Sequence, residues 1–149
     1  MVGPSGAGKS TYIEKNYKPQ DVISTDQIRL DLFGSFGSDV QTPEHHARVF
    51  SYAHGLIETR LKNGVFTVFD ATNLRGSDRK AVLKSVPKGQ LVQYVLIDCE
   101  FDEKLRTRGW RSEELVKRHH NSFQNNLKNI LNGDDQPNVY VLDKREHKV

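Results

Sequence analysis

A run of glycines and small residues near the start of the chain ends in a lysine and a hydroxyl. Residues 3–10 read Gly-Pro-Ser-Gly-Ala-Gly-Lys-Ser and match the spacing G-x-x-x-x-G-K-S at every fixed position. In such a loop the backbone N–H groups point inward around phosphates, and the helix that follows adds the positive end of its dipole. Lys9 would span the β- and γ-phosphates, and Ser10 would offer its hydroxyl to Mg²⁺. The motif predicts that the chain binds a nucleoside triphosphate.

This phosphate loop supplies nearly all of the predicted contacts to ATP. The contacts are Gly3, Pro4, Ser5, Gly6, Ala7, Gly8, Lys9, Ser10 and Thr11, with Arg106 added further along the chain. A phosphate loop normally follows a buried strand, but only Met1 and Val2 precede this one. We therefore expect the first strand to be very short.

A second group of polar residues follows the second predicted strand. The segment Ser-Thr-Asp-Gln-Ile-Arg at 24–29 places Asp26 near a helix N-terminus and Arg29 one turn later on the same face. Asp26 could simply cap its helix, with Arg29 as its ion-pair partner. Beside a phosphate loop, however, a kinase needs a carboxylate that accepts the proton of an attacking hydroxyl. We expect Asp26 to be that base.

A third group follows the central apolar run of the sequence. Residues 65–69 read Val-Phe-Thr-Val-Phe, and Asp70 stands directly after them. This arrangement fits a Walker B element, whose carboxylate holds Mg²⁺ directly or through water. Thr72 and Asn73 would orient the substrate or shape the turn, since Asx turns are common after strands. The predicted metal ligands are thus Ser10 and Asp70.

A basic cluster surrounds Gly109 and Trp110. Its members are Lys104, Arg106, Arg108, Arg111, Lys117 and Arg118. Such a run can be a solvated helix face, but the glycine inside it favours a mobile lid over about residues 102–115 that closes on the triphosphate. We expect Arg108 to stabilise charge on the transferring phosphoryl group, with Arg106 as a second contact. Trp110 would anchor the lid or pack in the core, or it would stack on a base.

The elements that must position these residues alternate along the chain. Predicted strands cover 21–24, 65–69, 91–97 and 139–142, and predicted helices cover 9–16, 25–33, 42–62, 77–85 and 102–131, the last interrupted at Gly109. The continuous apolar runs are typical of parallel strands buried on both faces. The alternation predicts a doubly wound α/β sandwich whose ligands bind beyond the carboxyl ends of the strands.

Length and composition suit one domain over residues 1–149. The chain has a net charge of +3, which permits a polyanionic partner without requiring one. No apolar run approaches the roughly 18 residues of a membrane span, and the first residues form the phosphate loop rather than a signal peptide. We expect a soluble cytoplasmic protein without a membrane partner.

The single cysteine, Cys99, is expected to pack as a small apolar residue, and the histidines, including His119 and His120, are expected to have solvated or packing roles.

With these motifs in place, the chain resembles the kinase domain of phage-type polynucleotide 5′-hydroxyl kinases and related small kinases. The matching features are the phosphate loop at 3–11, Ser-Thr-Asp-x-x-Arg at 24–29, Phe-Asp-Ala-Thr-Asn at 69–73, and an arginine lid followed by a helix at 116–123. The resemblance implies a three-layer P-loop kinase-like sandwich with a short parallel sheet and an arginine-bearing helical lid. The chain departs from this family in two ways. Its first strand is nearly missing, which indicates either a late start relative to the relatives or a neighbouring element in the place of that strand. It also lacks a phosphatase or ligase domain.

The resemblance also implies roles for single residues. Asp26 would be the general base, Arg29 would contact the phosphate of the substrate, Asp70 would be an active-site carboxylate, and Arg108 would be the lid arginine. The implied reaction moves the γ-phosphoryl of ATP, with Mg²⁺, to the 5′-hydroxyl end of DNA or RNA in nucleic acid end repair. Two alternatives stay open, namely a kinase acting on small molecules such as nucleosides, sugars or antibiotics, and a nucleotide-dependent switch without acceptor chemistry.

Overall fold

The computed structural model describes residues 1–145, in which strands and helices alternate. The strands are β1 (Val22–Ser24), β2 (Val68–Asp70), β3 (Val92–Leu96) and β4 (Val139–Asp143). The α-helices are α1 (Lys9–Asn16), α2 (Thr25–Phe33), α3 (Pro43–Lys62), α4 (Gly76–Lys84), α5 (Phe101–Arg106) and α6 (Glu113–Leu131). Short 3-10 turns cover Pro19–Asp21, Ser38–Val40 and Gly133–Asp135. The fold is the predicted α/β arrangement with short parallel strands.

The sheet consists of two parallel pairs joined by the first residues of the chain. Strand β1 pairs with β2, and β3 pairs with β4. Val2 forms a parallel bridge to Leu96, its N–H donating to the Val95 carbonyl at 2.8 Å. On the other side, the Met1 nitrogen donates to the carbonyl of Phe69 at 3.0 Å. Residues 1–3 therefore lie between β2 and β3, as the expected very short first strand.

Helices α2, α3 and α6 begin where a hydroxyl side chain satisfies one of their first N–H groups. Ser24 Oγ accepts the N–H of Gln27 at the start of α2, and Thr42 Oγ1 accepts the N–H of His45 at the start of α3. Ser112 caps α6 in the same way. Each cap satisfies a backbone donor that has no partner within its helix. These caps fix where the chain turns from strand or loop into helix.

Helices cover both faces of the sheet because successive strand residues point to opposite sides. One cluster gathers Val68, Val95 and Ile97 around Ile13 of α1. The other two clusters pack α3 and α6 against the strands, with these buried members among others: Ile23, Val49, Ala53, Ile57 and Phe69 with α3, and Val2, Leu96, Phe123 and Ile130 with α6. Within residues 1–145, no helix combines the length and the apolarity that crossing a membrane requires.

The predicted strand over 65–69 is wrong at residues 65–67. Val65 and Phe66 are 38% and 62% exposed, and β2 begins only at Val68. The guanidinium of Arg60 donates to the carbonyl of Phe66, which holds this segment as a turn after α3. A groove of about 480 Å³ separates it from the start of β3, where Leu91 is 64% exposed. These residues remain outside the sheet because residues 1–3 pair only with the carboxyl-terminal parts of β2 and β3.

Candidate active site

The phosphate loop takes a shape that its glycines permit. At Gly8, directly before α1, φ is 101°, a left-handed conformation that glycine adopts without a Cβ clash. At Gly3 the reason is close approach, because a Cβ there would lie 2.1 Å from the carbonyl oxygen of Ile97. The loop therefore packs directly on the end of β3 and leads into α1 with its N–H groups at the positive end of that helix.

A cleft of about 620 Å³ lies over this loop at the carboxyl ends of the strands. Its lining includes these sequence-predicted residues: Ser5, Gly6, Ala7, Gly8, Lys9, Ser10, Thr11, Asp26, Asp70 and Thr72. The fold therefore brings together side chains from three separate segments of the sequence. Their place beyond the strand ends is where parallel α/β sheets bind ligands.

The side chain of Lys9 is held over the phosphate loop by backbone carbonyls of that loop. Its Nζ donates to the carbonyls of Gly3 and Pro4, each at 2.9 Å. Burial lowers the pKa of Lys9 to about 8, while the nearby Asp70 carboxylate raises it and Arg111 lowers it. Lys9 is still largely protonated at neutral pH, so it presents a positive charge at the place where a triphosphate would bind.

Asp70 ends β2 and faces the same cleft. Burial raises the pKa of this carboxyl, and the Lys9 ammonium opposes that shift. Mg²⁺ prefers hard oxygen ligands and usually binds through one or two protein groups, with waters and substrate phosphates completing its shell. Ser10 and Asp70 fit this need, and a cation would also stabilise the charge of a half-buried carboxylate. Residues 1–145 contain no cluster of three or more His, Cys, Asp or Glu side chains arranged for a metal.

Asp26 lies in the first turn of α2, but it does not cap that helix. Ser24 is the N-cap, and its hydroxyl accepts the N–H of Gln27. The Asp26 carboxylate instead faces two guanidinium groups, Arg29 Nη1 and Arg111 Nη2, each at 3.7 Å. The capping alternative is therefore wrong, and the carboxylate is directed at the cleft between the two arginines.

Arg29 lies beneath Asp26 rather than on the wall of the cleft. Only 4% of the residue is exposed, and its Nε is buried without a hydrogen-bond partner in the described part of the chain. Burial lowers the pKa of the guanidinium, and Asp26 opposes that shift. The structure thus places Arg29 where it orients Asp26, one layer behind the surface that a substrate would meet.

The predicted lid lies over the phosphate loop, but it presents a different arginine from the two predicted ones. Arg108 donates to the carbonyl of Leu105, one turn earlier, and Arg106 is paired with Glu103 on the surface. Neither lines the cleft. Arg111 does line it, and its guanidinium lies 4.8 Å from the ring centroid of the half-exposed Trp110. The sequence indicated Arg111 only as a member of the basic cluster, directly after Gly109 and Trp110.

The side chains of Thr72 and Asn73 lie in different surroundings, although the two residues are neighbours in sequence. Thr72 lines the cleft, whereas Asn73 is buried with φ at 51° and lies outside it. The Asn73 side-chain amide donates to the carbonyl of Met1 at 2.9 Å. Asn73 therefore shapes the turn and holds the first residues of the chain in the sheet. This position outside the cleft does not support the predicted contact between Asn73 and substrate.

Two groups that support the phosphate loop were not predicted. His119 of α6 lies with its Nδ1 2.6 Å from Ser5 Oγ. Lys104, a member of the basic cluster around Gly109, is fully buried and donates to Asp98 at 2.6 Å, with His120 Nδ1 also 2.7 Å from its Nζ. Helical spacing alone could not identify these contacts, because they join residues that are distant in sequence. Cys99 lines the cleft, with its Sγ 3.6 Å from the Gly6 carbonyl, instead of packing in the core.

Comparisons with known proteins agree with this geometry at the level of the family. A search of curated proteins finds no match to the chain. The profile of the AAA domain family matches residues 1–129, a range that contains the phosphate loop, Asp26, Asp70, the lid and most of α6. P-loop kinase-like domains of this kind generally use ATP and Mg²⁺. The chain thus belongs to the AAA domain family, which covers nucleotide-binding P-loop kinase-like proteins, polynucleotide kinases among them.

Proposed function

We propose that the protein transfers the γ-phosphoryl group of ATP to the 5′-hydroxyl end of DNA or RNA. One observation carries this proposal. Asp26 faces the phosphate-loop cleft from a helix that Ser24 already caps, so the start of the helix does not need its carboxylate as a cap. A carboxylate beside bound ATP can accept the proton of an attacking hydroxyl. A nucleotide switch has no need of such a base.

The transfer assigns one task to each group in the cleft. Asp26 accepts the proton of the acceptor hydroxyl, whose oxygen forms a bond to the γ-phosphorus while the bond to the β,γ-bridging oxygen breaks and ADP leaves. Lys9 and the loop N–H groups hold the phosphates and balance the charge on the departing oxygen. Ser10 and Asp70 would hold Mg²⁺, which neutralises phosphate charge when it is bound. Arg111 adds a positive charge on the acceptor side.

The nucleic acid acceptor is supported by charge and by the resemblance of the motifs. The guanidinium of Arg111 lines the cleft and lies 3.7 Å from the carboxylate of the proposed base. A 5′-terminal nucleotide carries a phosphodiester close to its attacking hydroxyl, and guanidinium groups pair well with phosphate oxygens. Nucleosides and sugars lack that charge. An acceptor with a nearby phosphate therefore suits this site better than a neutral one.

The test is to incubate the protein with Mg²⁺ and γ-labelled ATP against 5′-hydroxyl DNA and RNA oligonucleotides, nucleosides and simple sugars. We expect label on oligonucleotide ends and none on oligonucleotides already phosphorylated at the 5′ end. Binding of the oligonucleotide should weaken with added salt, because phosphate contacts release counterions. Label on a small molecule would replace the proposal with a metabolite or drug kinase. Label released only as inorganic phosphate would favour the switch.

A further inference from the structure

We propose that His119 is a positioning residue that holds the phosphate loop in its nucleotide-binding shape and links it to the helix behind the lid. The proposal rests on the proposed function only in requiring that ATP bind at the phosphate loop. It assigns a role to a residue that contributes no group to the transfer itself.

The contact joins two segments that are distant in sequence. His119 Nδ1 lies 2.6 Å from Ser5 Oγ, and Ser5 is only 5% exposed. The neighbouring carbonyl of Pro4 accepts a hydrogen bond from Lys9. Because Ser5 precedes Gly6, whose φ is 78°, a hydrogen bond at its side chain fixes the loop where its direction changes. His119 therefore acts on the backbone whose N–H groups would surround the phosphates.

The next residue of α6 supports the same loop from a second direction. His120 Nδ1 accepts a hydrogen bond from Lys104, since an ammonium group can only donate, and Lys104 also donates to Asp98. The backbone of Lys104 packs against Gly6, where an added Cβ would lie 3.1 Å from the Lys104 carbonyl oxygen. Adjacent histidines thus connect α6 to the loop directly and through α5. The lid lies between these two helices, so a movement of the lid would change the positions of Ser5 and Gly6.

The surroundings of His119 favour its neutral form. Burial lowers the pKa of His119 to about 4, and the positive groups Lys9, Arg118 and Arg111 act in the same direction. A neutral imidazole keeps one donor and one acceptor nitrogen, so it can bind the Ser5 hydroxyl without adding a charge next to Lys9. The hydrogen bond should therefore persist throughout the neutral range of pH.

The test is a double-mutant cycle on the affinity for Mg·ATP, measured without any acceptor. We expect His119→Ala to raise Kd about tenfold, which corresponds to about 1.4 kcal/mol, with kcat within about twofold of the wild type. His119→Asn should recover much of the affinity, because its amide can reach the position of the imidazole Nδ1. Ser5→Ala combined with His119→Ala should be no weaker than the worse single variant. Asn121→Ala, an exposed change on the same helix, is the matched control and should bind like the wild type.

Two results would overturn the inference. One is wild-type affinity in His119→Ala, and the other is full additivity of the Ser5 and His119 variants. If the wild type binds ATP but labels no acceptor, the proposed phosphoryl transfer fails while the cycle still decides the role of His119. If the wild type does not bind ATP, the role in nucleotide binding is overturned, and nuclear magnetic resonance of the imidazole then tests only its contact with Ser5. A neutral ring at pH 5.5 that shifts in Ser5→Ala supports the contact, and a ring that is protonated there and insensitive to Ser5 refutes it.

Discussion

The two ends of the sheet differ in what lies between β2 and β3. At the carboxyl end, residues 1–3 bridge the strands, and the phosphate loop, Asp26 and Asp70 crowd around one polar cleft. At the amino end a groove of about 480 Å³ separates the strands. Its lining is largely apolar, and it includes the exposed Phe66 and Leu91. The same strands therefore have a polar end and an apolar end.

The difference shows how a parallel sheet makes one of its ends a binding site. Polar residues that directly follow parallel strands meet at one edge, and α1 begins there without a side-chain cap, so that its first N–H groups face the cleft. The opposite end receives neither feature. Pairing of backbone groups, rather than apolar character, decides how far the strands extend. The following predictions test this contrast, beginning with the largest effect.

Replacing the proposed base should affect turnover more than any other change at the polar end. Asp26→Asn removes a proton acceptor but keeps the shape of the side chain, so turnover should fall by about 10² to 10⁴-fold. ATP affinity should stay within about twofold, because the loop N–H groups and Lys9, rather than Asp26, hold the phosphates. Steady-state kinetics with a separate ATP-binding assay would check both values.

The control for this change lies on the same helix. Asp31→Asn alters an exposed carboxylate of α2 and should leave turnover unchanged. A loss of ATP affinity in Asp26→Asn as large as its loss of turnover would rule out the general-base role.

Substitutions of the two lid arginines should differ in their effect on turnover, because only one of these arginines lines the cleft. Arg111→Gln should lower turnover about tenfold or more, because its guanidinium lines the site and reaches Asp26. Arg108→Gln should remain near the wild type, since Arg108 donates to its own turn at Leu105. Equal losses in the two variants would mean that the lid rearranges on binding and presents Arg108 as well as Arg111.

The affinity for ATP should depend on pH through Lys9. Only the protonated amine attracts the phosphates, and the pKa of Lys9 is lowered to about 8 in the protein. Affinity should therefore be full below about pH 7 and fall about tenfold by pH 9, as the proton is lost above that pKa. Calorimetric titrations at several pH values would measure the slope.

Two variants of Lys9 sharpen this measurement. Lys9→Arg keeps its charge at pH 9 and should show a flat profile, whereas Lys9→Ala should bind weakly at every pH and turn over slowly. Unchanged turnover in Lys9→Ala would contradict the assignment of the whole site.

The smallest effect is expected at the apolar end. Phe66 is 62% exposed and lies outside β2, so Phe66→Ser should change the free energy of unfolding by no more than about 0.5 kcal/mol and leave ATP affinity unchanged. Leu96→Ala, at a fully buried position of β3, should cost about 2–5 kcal/mol by comparison. Chemical denaturation of both variants would show whether the amino end contributes to the core. A large loss for Phe66→Ser would mean that this end is ordered by burial after all.

Local signals in the sequence predicted most of the elements. The cap at Thr42 and the glycines of the phosphate loop depend on neighbouring residues, so their patterns can be read directly. At α2 the sequence allowed Asp26 as the cap, whereas the cap is Ser24. The α/β class followed from the alternation of apolar runs with helical periodicity. The extent of a strand was less predictable, as residues 65–67 show, because it depends on whether a partner strand lies beside them.

By itself, the sequence determined the phosphate loop, the alternation of strands and helices, and the polar residues that follow the strands. Only the tertiary structure decided that Arg111 rather than Arg108 lines the cleft, that Asn73 turns inward to Met1, and that His119 binds Ser5. The physical reason is the distance along the sequence between the residues that determine each feature. A cap, a turn or a helical face is set by residues within a few positions, whereas a cleft is set by side chains from distant segments whose directions depend on how the whole chain packs.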